Sequence, residues 1–481
     1  MNNIKRIHFV GIKGVGMTPL AIIAKEAGME VSGSDVDKKF ITDSALSQAG
    51  ITEISSNFSS VSLDKVDLVI TTIAHNGLNN PEVSEAKKRN IPVWTQAQAV
   101  GEFMNGSIFG GNFMGISITG THGKTTTTAM AATLLQQLKL DPSYIIGTSS
   151  IDSLQDKLPG YLGKGKYFIA EADEYVNEYE ENGQRKAKTK FLWQHPKYLI
   201  MTSLELDHPD VYSSIEEIKE SFLAFAKQLP AEGVFIYNGD DVNLSEIAKR
   251  VVCKTISYGF SKNNDYFIDK SKIEETIDGI KFKIVVNHSS EAVDFSLQIP
   301  GEHNALNALA VICLAGDLGL SFTQAQSGLQ AFKGSKRRLE KISFINPSLP
   351  QNVIYYDDYA HHPTEIKATL RTLRSMYPHN YIICIFQPHT YSRTKALFND
   401  FAHAFSGVDE VVLTDIFASA REQNDDSVSS KMLASAIEKA GGKVLYESTL
   451  SDVIKYLQSK NYPANTVVVT MGAGDVYKIL S

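Results

Sequence analysis

The chain has 481 residues, 43% of them apolar, with 47 basic against 54 acidic side chains and a formal net charge of −7. That length predicts about three domains with proper cores. The acidic balance excludes a globally basic nucleic-acid-binding surface, though it allows a local cationic pocket, and no apolar run approaches the ~20 residues that span a bilayer.

Cys253, Cys313 and Cys384 lie far apart, match no metal-ligand spacing and read as small buried hydrophobes of a reducing cytosol. The start, Met1-Asn2-Asn3-Ile4-Lys5-Arg6, runs straight into a strand, so no secretory leader and a cytoplasmic location are expected.

Arg6-Ile7-His8-Phe9-Val10 reads as the first strand, followed by Gly11-Ile12-Lys13-Gly14-Val15-Gly16. Met17, Leu20, Ala21, Ala24 and Ala27 then recur at helical spacing up to Gly28. A second strand ends at Asp35, an acid about 20 residues past the last glycine, as in dinucleotide-binding domains. The spacing is GxxGxG, not GxGxxG, and leaves two readings equally open: a nicotinamide or flavin cofactor, or another nucleotide diphosphate. Strands at Val66–Ile70 and around Val93 complete a first domain, residues 1–108. The stretch 105–112 reads as a linker, and the part before it as a unit able to fold alone.

A second domain, 109–333, opens with the apolar strand Gly115–Thr119, then Gly120-Thr121-His122-Gly123-Lys124-Thr125-Thr126, then a helical pattern from Met130 to Leu138. This is the layout of a phosphate cradle. Backbone N–H groups at a helix N-terminus face the phosphates, Lys124 reaches the terminal ones, and the Thr125 hydroxyl suits Mg²⁺. Ile118 stands where the strict Walker pattern has its first glycine. Further strands are expected at Tyr167–Glu171, Tyr198–Ser203 and Val234–Tyr237. A helix after Pro209 is announced by a capping box of Ser214 and Glu217. Residues 265–300 alternate and predict an antiparallel extension, and Gly301 to Asn307 lead into an Ala/Leu-rich helix. The third domain, 334–481, has strand candidates at Val353–Asp357, Tyr381–Phe386, Glu410–Thr414 and Thr466–Thr470, with helical patterns between them.

Polar clusters follow the apolar strands: Glu171, Asp173 and Glu174; Glu205, Asp207 and His208; Asp357, Asp358, His361 and His362; Gln387, His389 and Arg393. Ligand crevices of open α/β sheets lie at such strand ends. Glu171 sits where Walker B acids sit and is the stronger candidate for Mg²⁺, His208 the weaker, because magnesium prefers carboxylate oxygen. Arg337-Arg338 offers a guanidinium to a transferring phosphoryl group.

Together these motifs resemble the Mur ligase family, the ATP-dependent amide-forming enzymes of peptidoglycan synthesis, along essentially the whole chain. The carrying residues are the cradle at 120–126, Glu171-Ala172-Asp173-Glu174, Asp207-His208, His303-Asn304 with Asn307, Arg337-Arg338, and Asp357 to Glu365. The resemblance implies an α/β fold of three domains: an N-terminal Rossmann-like UDP-binding domain, a central P-loop ATPase-like domain with a mostly parallel sheet, and a C-terminal Rossmann-like domain. It implies ATP and Mg²⁺ as cofactors, no nucleic-acid partner, and a monomer or homodimer. The implied reaction activates the lactyl carboxylate of UDP-N-acetylmuramate and joins it to an amine. Gly11-Ile12-x-Gly14-x-Gly16-Met17, Gln387 to Thr394 and Met471 to Asp475 resemble the branch whose amine is L-alanine. The run Glu174-Tyr175 and the longer charged stretch to Lys190 also resemble the branch that takes the murein tripeptide L-Ala-γ-D-Glu-meso-diaminopimelate.

By that resemblance Lys124, Glu171, His208, Arg338 and His389 act in catalysis, with Thr125, Glu171 and His208 on metal. Gly120 to Thr126, Asn304, Asn307, Arg338 and Asp357 or Asp358 hold the nucleotide. Gly11, Gly14, Gly16, Met17 and Asp35 take the UDP part, His389 and Arg393 hold the amino acid, and Tyr359 walls its side-chain pocket.

Overall fold

The computed structural model describes residues 4–480 apart from 59–62, 182–183, 288, 290, 344, 419–421, 423 and 464; Met1-Asn2-Asn3 lie outside the described residues. The first sheet is parallel throughout. Ile54–Ser55, Glu30–Ser34, Arg6–Val10, Leu68–Thr71 and Val93–Thr95 lie side by side in that order. Helix Thr18–Glu26, with proline in its first turn, buries Leu20 to Ala24 against this sheet. The GxxGxG turn comes at the carboxyl end of the central strand, because Gly11 takes φ +80° and a Cβ there would meet Thr72 at 2.4 Å.

The linker expected at 105–112 is not a tether. Phe109 packs edge-on against Phe103 at 4.9 Å, and Phe113 against Phe168 of the next sheet at 5.5 Å. Phe103 and Met104 share one buried cluster with Phe168 and Ala170. Helix Thr18–Glu26 lies so close to the short strand Gly160–Tyr161 that a Cβ on Gly160 would sit 2.3 Å from the Pro19 carbonyl. A fragment ending near residue 105 would expose that apolar surface, so the independent unit read from local periodicity is corrected to one that shares its core.

The central sheet runs parallel through Lys254–Gly259, Val234–Asn238, Tyr198–Met201, Met114–Thr119, Tyr167–Glu171 and Ser143–Ile145. The extension expected at 265–300 is present: Gly279–Val286 pairs antiparallel with Tyr266–Ile268 and Glu291–Leu297. Helix Lys124–Gln137 springs from the middle of this sheet, and Glu302–Asp317 packs near it in the same apolar core. Ser214 does accept from the Glu217 N–H and cap helix Ile215–Ala226, but the box is one residue off: the Glu217 carboxylate turns to the Ser213 N–H. Within the charged stretch, Val176–Glu181 and Gln184–Thr189 form a two-stranded hairpin.

The third sheet orders Glu340–Lys341, Ile354–Asp358, Thr466–Met471, Tyr381–Phe386, Glu410–Leu413 and Val444–Tyr446. All neighbours are parallel except the first pair. Among the described residues no helix is long and apolar enough to cross a membrane.

Candidate active site

The cradle turn forms because its glycines occupy backbone that other residues resist. Gly120 and Gly123 take φ +135° and +81°. A Cβ on Gly120 would lie 2.1 Å from the Thr202 hydroxyl, and one on Gly123 2.5 Å from Asn307 Oδ1. Asn304 and Asn307 are both buried and joined at 3.4 Å, so the helix that carries them abuts the cradle. Lys124 folds over the turn, donating to the carbonyls of Gly120 and Thr121 and to Glu174 Oε1 at 3.0 Å. Burial opposes its charge, but Glu174 outweighs burial and raises its pKa.

Two groups of oxygen and nitrogen donors flank Lys124. Thr125 Oγ1 donates to Glu171 Oε1 at 3.1 Å, and Glu171 Oε2 accepts from the Gly147 N–H at 3.0 Å. A hydroxyl beside a carboxylate at a helix start suits magnesium, which keeps most of its waters. Glu174, Asp207 and His208 form the second group, each offering an atom within 4.8 Å of the others. His208 sits in the left-handed region at φ +58°, which turns its ring toward Glu174 at 3.5 Å. A histidine in this set binds a cation only when neutral, so the pair is either an ion pair or two donors.

The third domain closes over this crevice. Arg338 donates to Thr125 Oγ1 at 3.3 Å, Thr364 to Glu205 Oε2 at 2.7 Å, and Arg393 Nε to Asp207 Oδ1 at 2.8 Å. The neighbouring arginine does something different: Arg337 is buried on Asp357 at 2.9 Å and on the Gly472 carbonyl. Asp357 also accepts from Thr470, and Asp358 accepts from the N–H groups of Leu339 and Ala360 and from Thr369. Both carboxylates thus face protein partners, and burial lifts Asp358 to about 6. Tyr359 lies under both guanidinium groups at 5.1 Å and meets His361 edge-on. His389 Nδ1 sits 3.2 Å from Arg393 Nη1, which must donate, so the imidazole proton is left on Nε2. Burial, with His361 and Arg393 nearby, holds His389 neutral at about 3. Gln387 is spent within the domain, bonding the Asp475 carboxylate and the N–H groups of Asp475 and Val476.

His122 links the cradle to this closure. Its Nδ1 lies 3.2 Å from Glu365 and its Nε2 3.5 Å from Glu205, with the His362 ring 4.7 Å away. Burial disfavours the imidazolium, yet Glu205 and Glu365 outweigh it and push His122 up to about 9. A folded-state pKa above the free value of about 6.5 stabilises fully below that value and is lost as pH rises through about 9. His122→Gln should therefore be less stable than wild type at pH 6 by on the order of 1–3 kcal/mol. The gap should close by about pH 10. Thermal unfolding of both proteins across that range checks this, and a gap that stays constant defeats it.

In the first domain, Gly14 and Gly16 continue the turn; the Met17 N–H bonds the Gly14 carbonyl and Gln96 Nε2 the Gly16 carbonyl. Asp35 is buried and accepts from the N–H groups of Lys13 and Val36, with His75 at 3.4 Å, so it pins the turn to the strand end. The structure therefore joins Lys124, Thr125, Glu171, His208, Arg338, His389 and Arg393 through one chain of contacts and leaves the Gly11–Met17 turn at the end of the first sheet. Glu174 and His361 stand among the polar strand ends and Glu365 in the run from Asp357 to Glu365, but the sequence assigns none of the three a role at the site. Glu174 stood in the Glu171–Glu174 run, but nothing in that run separates the acid that meets Lys124 from the one that meets Thr125.

Comparison with known proteins is consistent along the chain. The description "Mur ligase family, catalytic domain" matches residues 6–107, "Mur ligase middle domain" residues 118–315, and "Mur ligase, glutamate ligase domain" residues 337–474. The chain is 39% identical over 475 residues to a UDP-N-acetylmuramate–L-alanine ligase of Clostridium acetobutylicum, covering 99% of this chain and 96% of that one. It is similar to the crystal structure of the UDP-N-acetylmuramate-alanine ligase from Thermotoga maritima, with a TM-score of 0.78, 27% identity and coverage of 98% and 97%. A murein peptide ligase from Psychrobacter arcticus shares the fold at a TM-score of 0.70 and 24% identity, covering 99% and 97%.

Proposed function

The chain belongs to the Mur ligase family, and from that premise we infer an ATP-dependent ligase that joins L-alanine to UDP-N-acetylmuramate in peptidoglycan precursor synthesis. The observation that carries the reading is the meeting of cradle and closure: Lys124, Thr125 and Glu171 from one domain face Arg338, His389 and Arg393 from another. The tripeptide acceptor is not favoured. The relative that is 39% identical over the full length is an L-alanine ligase, whereas the murein peptide ligase is related at the level of fold.

A lactyl carboxylate oxygen attacks the γ-phosphorus of ATP, the bond to ADP breaks, and an acyl phosphate results. The amine of L-alanine attacks the acyl carbon and loses a proton, and phosphate leaves as the carbon–oxygen bond breaks. Lys124 and Arg338 take up the charge that develops on the transferring phosphoryl group. Thr125 and Glu171 would hold one magnesium ion and His208 would border a second, and the ions would supply positive charge against the phosphates. Asn304 and Asn307 border the adenine. Asp357 or Asp358 would reach the ribose only by giving up a present partner. Arg393 grips the L-alanine carboxylate, His389 donates to it from Nε2, and Tyr359 bounds the small side chain. The Gly11–Met17 turn, set by Asp35, receives the UDP part. The same reading places the enzyme in the cytoplasm, as a monomer or homodimer.

Phosphate release with UDP-N-acetylmuramate, ATP and Mg²⁺ should be fastest with L-alanine, slower with glycine or L-serine, and negligible with L-Ala-γ-D-Glu-diaminopimelate. Saturable ligation of the tripeptide with no turnover of L-alanine would overturn the assignment.

A further inference from the structure

Asn177 is buried to 2% exposure, and among the described residues neither end of its amide has a hydrogen-bond partner. Leaving a buried donor and acceptor unpaired is costly, and native structures seldom do it without a use. Its surroundings point to one. Asn177 stands directly opposite Lys188 in the hairpin register and two residues from Tyr179, so the three share one face. Trp193 lies on that face, edge-on to Tyr179 at 5.0 Å and under the Lys188 ammonium at 4.2 Å. The indole N–H of Trp193 is also buried and unpaired among the described residues.

The face lies between the two ends of the site. Strand Val176–Glu181 packs against strand Val93–Thr95 of the first domain. The next residue, Gln96, bonds the Gly16 carbonyl of the glycine turn at 3.3 Å. On the other side Asn177 is three residues past Glu174, which pairs with Lys124 of the cradle. The hairpin is also tied to the first domain by the Lys87–Glu180 ion pair at 2.7 Å and by a bond from Arg185 to Asn79. On the proposed function, a substrate with its nucleotide at the glycine turn and its carboxylate at the cradle runs past this hairpin, which touches the first domain on one side and leads from Glu174 on the other.

We propose that Asn177 is a specificity-determining residue that pairs with the acetamido group of the substrate sugar. Its Nδ2 donates to the acetyl carbonyl, its Oδ1 accepts from the amide N–H, and the Trp193 N–H supplies a further donor. Two amides are complementary in this way, whereas a free amine at the same carbon satisfies one end alone. This inference rests on the proposed function and deepens it.

The test compares UDP-N-acetylmuramate with its de-N-acetylated counterpart, which carries a free amine, in wild type, Asn177→Leu and Asn177→Ala. Both variants should fold, with melting temperatures equal to or above wild type, because each removes an unpaired buried amide. The kcat/KM for the acetylated substrate should fall by about 10- to 100-fold, with that for the de-acetylated one changed little. KM values for ATP and L-alanine should stay near wild type. An equal fall with both sugars, or no fall with either, overturns the assignment of Asn177 while leaving the enzyme's reaction standing. No turnover of either sugar by wild type defeats the proposed function and this inference with it.

Discussion

Lys124→Ala should abolish ligation while the chain stays folded. The ammonium is the cationic group of the cradle turn placed to meet a terminal phosphate, and it pairs with Glu174 at 3.0 Å. Losing one preorganised charge contact to a transferring phosphoryl group costs ~3 kcal/mol or more, so turnover should fall by at least about 100-fold. The cradle's own shape does not depend on the lysine. It is set by Gly120 and Gly123 and by the bonds of Thr121 and His122 to the 203–205 segment. Glu174 is 1% exposed and, among the described residues, would keep His208 as its remaining ion-pair partner, so a drop of a few degrees in melting temperature accompanies the loss of activity. Steady-state phosphate release and thermal unfolding measure the two effects. Activity within tenfold of wild type would remove Lys124 from the chemistry.

Arg393 should give the second large effect, and its two variants should differ. Arg393 is 3% exposed, bonds Asp207 through Nε, and contacts His389 through Nη1. Among the described residues its other terminal nitrogen makes no hydrogen bond, and that end is available to a carboxylate. Arg393→Lys keeps a positive charge for Asp207 but loses the fork that holds a carboxylate with two parallel bonds. The KM for L-alanine should rise at least about tenfold while that for ATP changes little. Arg393→Ala also takes from the buried Asp207 its guanidinium partner and leaves it to His208, whose backbone N–H it accepts at 2.8 Å and whose ring lies 3.7 Å away; losing one member of a buried charge pair costs up to about 3–5 kcal/mol. Turnover should then fall by about 100-fold or more, with weaker closure of the third domain. An Arg393→Ala enzyme with an unchanged L-alanine KM would show that the arginine serves only to join the domains.

Much of this site is legible in the amino-acid sequence, and for a local reason. A phosphate cradle is a run of consecutive residues whose function follows from backbone freedom and from which side chains stand beside it. Gly120 to Thr125 therefore announces itself, as does the alternation of apolar strands with polar strand ends. The same periodicities identified the three α/β sheets and the antiparallel extension, because strand and helix patterns are set by side-chain spacing alone. What the chain order could not contain is which distant residues face one another. Arg337 and Arg338 are adjacent and identical in type, yet one is buried on Asp357 and the other reaches Thr125. Glu171 and Glu174 divide Thr125 and Lys124 between them only once two strands lie side by side. The charge of His122 depends on Glu205 and Glu365, the second of them 243 positions along the chain. The first domain looked separable because each helix showed a satisfied local pattern; only packing revealed that Phe103 and Phe168 share one core. Burial, charge state and domain partnership are properties of surroundings, and the surroundings of these residues are assembled from parts of the chain that a local pattern never brings together.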